Sequence, residues 1–109
     1  MALSQQQFMA AHEIAKLPFT DAHRGESNEE VLARKLASAK ADKWESSKGM
    51  YESIKKHGVL EPVDIIHHPE KGMMLGEGHH RVASAMDINP NMKIPVKHKT
   101  PEEAWEIEF

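Results

Sequence analysis

Six consecutive residues, Gly76-Glu77-Gly78-His79-His80-Arg81, hold two glycines, a carboxylate, two imidazoles and a guanidinium. The stretch from Met74 to Ala85 reads as a short strand, a two-glycine turn and a helix start. Glycines let backbone N–H groups approach a ligand closely, and a helix start aims unpaired N–H groups and partial positive charge at one spot. Arg81, one turn in, adds a fork of donors suited to phosphate. The expected chemistry is anion binding, with phosphate the best match. The bland alternative is a tight strand–helix connection in which the glycines serve geometry and Arg81 pairs with a carboxylate.

Eight histidines is a high count for 109 residues, and six lie between His57 and His98. His67, His68, His79, His80 and Glu77 are of metal-ligand type, but their spacing matches no zinc motif. No metal site is expected. His79 and His80 are neighbours on a helix and point about 100° apart. One is then free to contact phosphate or act as an acid while the other packs.

Around these residues the elements read as follows. Ser4–Ala15 is a short helix candidate, broken by Leu17-Pro18-Phe19. Ser27 and Glu30 have capping-box spacing, and Val31, Leu32, Leu36 and Ala39 recur at helical intervals, which predicts a helix from about Asn28 to Ala41. Ser46 or Ser47 would cap a second helix with Met50, Tyr51, Ile54 and His57 inward, and Gly58 ends it. Val63–His67 and Met73–Leu75 predict a hairpin across the turn His68–Gly72, with Gly76 at its end. A helix from about His79 to Met86 follows, with Val82, Ala83 and Met86 inward. Lys93–Lys97 is a strand whose Pro95 demands an edge or a bulge. Thr100 to Glu103 is a second capping box with proline at the first helical position. The tail from Trp105 to Phe109 fits either a helix or a strand.

The order of these signals is similar to the ParB/sulfiredoxin superfamily. Tyr51 to Val63 resembles that family's opening of helix, glycine, apolar residue, proline and strand, and Gly76-Glu77-Gly78-His79-His80-Arg81-Val82-Ala83 resembles its signature turn. Ile94-Pro95-Val96 resembles its next strand. The turn usually reads Gly-Glu-Arg-Arg-x-Arg-Ala in partition proteins, Gly-Cys-His-Arg in sulfiredoxins, and Asp-Gly-His-His-Arg in relatives with free-serine kinase activity. The resemblance implies an α/β (α+β) fold, a small mixed sheet flanked by helices, with residues 46–109 as the core. Residues 1–45 would be an N-terminal extension of the same domain, supplying helices and one strand. It implies that Gly76, Glu77, Gly78, His79, His80 and Arg81 line nucleotide phosphates, with CTP or ATP and Mg²⁺ as the precedents. Glu61 lies near the same pocket in relatives and is the candidate general base if the protein is a kinase; Asp64 and Glu77 are alternatives, as a base or for holding Mg²⁺. The family further suggests a small stand-alone copy, phage- or plasmid-borne.

Departures from the family narrow this. The 109 residues hold none of the Glu-Asn-x-x-Arg motif, helix-turn-helix or dimerisation domain that follow the core in partition proteins, and one signature arginine stands where those have two or three. Without cysteine, sulfiredoxin chemistry, disulfides and thiol catalysis are excluded. Net charge of −3 gives no global attraction to nucleic acid. Lys35, Lys40, Lys43 and Lys48, interrupted by Asp42 and Glu45, read as a solvated helix face. With no membrane-length apolar run and no signal peptide, a cytoplasmic protein is expected. Three functions remain. One is a nucleotide-binding module that regulates a partner protein or a DNA transaction, with a homodimer left open. The second is a small-molecule kinase or nuclease-like enzyme on the same site. The third is a degenerate copy acting by protein–protein contact, with Trp44, Trp105 and Phe109 as surface candidates.

Overall fold

The computed structural model describes residues 7–41 and 49–104. Its elements are β1 (Phe8–Ala10), α1 (Ala11–Ile14), α2 (Asn28–Lys40), α3 (Met50–His57), β2 (Val63–His68), β3 (Gly72–Glu77), α4 (His79–Ile88), β4 (Lys93–Lys99) and α5 (Pro101–Ala104). The strands form one mixed sheet in the order β1-β4-β2-β3, an α+β architecture. β2 and β3 are the expected hairpin, with Ile66 opposite Met74. β4 lies parallel to β2, Val63 beside Val96, so the chain must cross over between them, and α4 makes that crossing.

Alternation along β2 sends Val63 and Ile65 to one face, where they join Leu75 of β3 and Ile94 of β4. Ile14, Val31, Ile54, Val82 and Ala85 from the four helices α1–α4 close the same core. Each buried aliphatic side chain contributes about 1.5–3 kcal/mol relative to exposure. The Ser27–Glu30 capping box forms as expected: the Glu30 N–H donates to Ser27 Oγ at 3.2 Å, and the Ser27 N–H to Glu30 Oε1 at 2.8 Å. That cap contributes about 1 kcal/mol to α2. The box at Thr100–Glu103 forms likewise.

β3 would leave an unpaired outer edge. The segment Pro18–Thr20 covers it: the Leu75 N–H donates to Pro18 O at 2.9 Å and the Thr20 N–H to Leu75 O at 3.0 Å. This brings the loop after Phe19, including Asp21, alongside the start of α4.

Several expectations are corrected. Phe8–Ala10 is a strand, because its backbone pairs antiparallel with Lys93–Pro95; among the described residues of that segment only Ala11–Ile14 is helical. β4 is an inner strand, not an edge. Pro95 is tolerated because β1 pairs with residues up to Pro95 while β2 pairs only from Val96 on. The Val96 N–H donates to Gln7 O on the β1 side, so the neighbouring proline nitrogen points to the other side, where β2 has not begun. β3 runs on to Glu77, and Gly76 is a strand residue at an irregularity in the ladder. His57 is exposed rather than inward. Lys35 is not on a solvated face: its side chain is 13% exposed and paired with Asp21. Ser46, Ser47, Trp44 and the tail from Trp105 lie outside the described residues.

Candidate functional site

Packing accounts for both glycines of the turn. Gly78 caps α4 with φ +102°, and a Cβ there would lie 2.5 Å from Val63 Cγ1. A Cβ on Gly76 would lie 2.3 Å from Ile66 Cδ1. The turn is therefore drawn tightly onto β2. α4 begins without a side-chain cap and with no acidic residue in its first turn. Its first N–H groups have no intrahelical acceptor, and the positive end of its dipole meets no acidic residue within its own first turn.

Among the described residues Arg81 does not pair with a carboxylate. Its Nη1 donates to Pro62 O at 2.6 Å and Glu61 O at 3.2 Å, tying α4 to the approach to β2. A guanidinium has five N–H donors, so Nη1 accounts for two. Nε and Nη2 make no hydrogen bond among the described residues, which leaves three donors in a fixed fork. The side chain borders a cavity of about 290 Å³, whose wall includes Met50, Ile54, Val59, Leu60 and Glu61. Glu61 and Arg81 thus share one cleft.

The two histidines share one setting. His79 is 6% exposed and stands edge-on to Phe19, ring centroids 5.4 Å apart. Burial pushes its pKa down to about 4; Asp21 opposes this, while Lys35, His80 and Arg34 add to it. His80 is lowered too, by burial first and then by Lys35. Both rings are neutral at neutral pH, and the Nε2 atoms of both, like Ser84 Oγ, are buried without a hydrogen-bond partner among the described residues. A histidine with a pKa near 4 is a poor general acid at neutral pH.

His79 makes stability depend on pH. Unfolded, it titrates near 6.5; folded, near 4. The folded state therefore excludes a proton that the unfolded state accepts, and this contribution is complete above about pH 6.5 and lost as pH falls towards 4. Urea midpoints measured across that window should fall on the acid side, by up to about 3 kcal/mol from this group. His79→Leu should flatten that slope, and an unchanged slope in the variant would remove His79 as its origin.

Glu77 is not beside the histidines. The ladder irregularity places it opposite Asp64, on the face away from the core helices. Asp64 bonds Lys99 there at 3.0 Å, and Glu77 adds to the negative field that raises the Lys99 pKa, behind the Asp64 hydrogen bond. The turn residues are hence split: Arg81 with Glu61, His79 and His80 with Lys35 and Asp21, and Glu77 with Asp64 and Lys99.

Lys35 is the neighbour that sequence reasoning missed. Its signal was present, because Val31, Lys35 and Ala39 recur at intervals of four and the outer two are fully buried. A lysine inside an apolar stripe must find a partner. Asp21 supplies one, so Lys35 is compensated. Arg34 is compensated by Glu26, with Nη2–Oε1 at 2.8 Å. Arg81 is left as the cation of this region with no carboxylate partner among the described residues. No group of three or more metal-ligating side chains forms there either.

The chain is a mixed α+β domain whose crossover helix opens on a glycine-framed turn without a side-chain cap, with Arg81 held beside it. The chain matches the ParB N-terminal domain profile over residues 5–109, nearly its whole length, and belongs to that family. No curated protein and no solved structure matches it at a significant level. No helix among the described residues is long and apolar enough to cross a membrane.

Proposed function

We propose that this protein is a ParB-like nucleotide-binding module that holds the phosphates of CTP or ATP at the start of α4 and couples that state to DNA or to a protein partner. The observation that carries this is the Arg81 fork: one nitrogen fixed on the Glu61 and Pro62 carbonyls, three N–H donors unused, next to an uncapped helix start. Fixing the guanidinium beforehand lowers the entropy lost on binding. The residues fit a phosphate group. They offer little to a metal ion, so Mg²⁺ would be held mostly by the nucleotide, with Glu61 the carboxylate in the same cleft. Family membership supports a role connected with DNA. With a net charge of −3, direct DNA contact by this chain would be weak and steeply salt-dependent.

The shared cleft of Glu61 and Arg81 favours a second reading, a kinase with Glu61 as general base. Glu61→Gln would then spare affinity and abolish turnover. The deciding experiment is a thermal-shift screen against ATP, ADP, CTP and GTP, with and without Mg²⁺. A nucleotide present at about 100 times its Kd stabilises by about 2.7 kcal/mol, several degrees for a domain of this size. No shift with any nucleotide would overturn the reading and favour a module that works by protein contact.

A further inference from the structure

A second cluster lies at the opposite end of β2 from the cleft. His67 of β2 and His98 of β4 stand on neighbouring parallel strands, at the ends of the rows Val63-Ile65-His67 and Ile94-Val96-His98. Both rings are half-buried on the core face. His67 Nε2 and His98 Nδ1 are 2.7 Å apart, with ring centroids at 4.9 Å and planes tilted by 46°. The two imidazole nitrogens therefore face each other across one hydrogen bond, roughly 13 Å along the strand from Val63.

Geometry selects the ion. Metal–imidazole bonds are about 2.0–2.1 Å, so two ligands at right angles lie about 2.9 Å apart and two at a tetrahedral angle about 3.3 Å apart. The observed pair must open by about 0.2 Å for the first and about 0.6 Å for the second, and each ring must also swing so that its nitrogen, now aimed at the other ring, turns toward the shared ion. Right-angle nitrogen ligation belongs to tetragonal Cu(II) and Ni(II), and the divalent affinity series places Cu(II) first. Met73, directly across from His67 in the β2–β3 ladder, puts a thioether on the same face. His68 is on the other face, and its Nδ1 accepts the Glu70 and Lys71 N–H groups at 3.0 Å.

We propose that His67 and His98 form a two-imidazole site for a tetragonal late-transition divalent ion, Cu(II) ahead of Ni(II), that joins β2 to β4. On binding, the hydrogen on the shared nitrogen moves to the other nitrogen of its own ring. Two waters leave the hydrated ion, and solvent fills the remaining positions. The site is independent of the nucleotide reading.

The test is titration of the metal-free full chain with Cu(II) at about pH 7.5, read by electron paramagnetic resonance. A one-to-one tetragonal spectrum split by two nitrogens is expected from the unaltered protein. His67→Gln and His98→Gln should each weaken binding by about tenfold or more and remove one nitrogen coupling, while His68→Gln leaves both unchanged. Melting of each variant without metal confirms that it is folded. If a variant does not fold, the nitrogen count of the unaltered protein and its retention in His68→Gln decide alone. A spectrum with fewer than two imidazole nitrogens, or one that survives in both His67→Gln and His98→Gln, would overturn the site.

Discussion

Gly78→Ala is expected to destabilise the domain by about 2–5 kcal/mol, the largest effect expected of an added Cβ at any of its glycines. Two independent penalties meet at that position. A non-glycine residue in the left-handed region costs about 1–2 kcal/mol, and Gly78 sits at φ +102°. The added Cβ would also lie 2.5 Å from Val63 Cγ1, 2.8 Å from its Cβ and 3.3 Å from its Cα. Val63 is β-branched, fully buried and anchored in a central strand, so it cannot rotate away. Overpacking of this kind costs about 1–3 kcal/mol. Gly76→Ala is the control. Its clash is with Ile66 Cδ1 and Cγ1; Ile66 is also buried and β-branched, but its outer torsion can carry Cδ1 away, and the φ of Gly76 lies outside the left-handed region, so only the overpacking penalty applies. A loss of about 1 kcal/mol is expected there. Gly72→Ala meets nothing within 4 Å and carries only the backbone penalty. Urea unfolding should rank the three with Gly78→Ala far below the others. Equal stabilities would mean that α4 can lift off β2, and that the turn is not the rigid frame described above.

That ranking bears on function. The two glycines that drew attention as a ligand cradle have a sufficient structural reason, the close approach of the turn to Val63 and Ile66. Binding must then rest on what packing leaves over, which is the helix-start N–H groups and the Arg81 fork.

Much of this was legible from sequence, and the illegible part has a common cause. Capping chemistry is local: Ser27 with Glu30 and Thr100 with Glu103 name their partners three residues away. The hairpin and α4 were readable because period and punctuation agree there. Phe8–Ala10 was not, since three residues carry no period and their strand identity comes from β4, more than eighty residues on. Pro95 argued for an edge, and only the hand-over from β1 to β2 along β4 explains how it sits inside a sheet. The same holds at the site. Arg81 was readable as a donor, but its acceptors are backbone carbonyls of Glu61 and Pro62, which no residue type advertises. Glu77 looked like a neighbour of His79 and His80. One irregular step in the β2–β3 ladder sends it to the opposite face. The pairing of Lys35 with Asp21 depends on the Pro18–Thr20 segment covering β3, a contact that sequence spacing does not encode.

If the proposed nucleotide site holds, Arg81→Ala should lower nucleotide affinity by about 10–100-fold while leaving the fold intact. A hydrogen bond to a charged group contributes about 1.5–3 kcal/mol, and each 1.4 kcal/mol is about a factor of ten. The structural loss is smaller. The Glu61 and Pro62 carbonyls that Arg81 holds are at exposed residues, so water can replace the donor and the fold should lose about 1 kcal/mol. The variant should melt cooperatively a few degrees lower and bind poorly well below its melting temperature. Arg81→Lys separates the two duties. An ammonium is a point charge on one nitrogen, so it can satisfy the loop carbonyls or reach a phosphate, but it cannot bridge them as the planar fork does. Its affinity should fall between those of the parent and the alanine variant, and should decline with added salt because the residual attraction is screened charge. Parent-like affinity in Arg81→Ala would show that the guanidinium is a structural clamp alone. Loss of cooperative melting would show that the Arg81 clamp on the Glu61–Pro62 segment is worth far more to the fold than exposed hydrogen bonds allow, and the assignment of its three remaining donors to phosphate would then lose its main support.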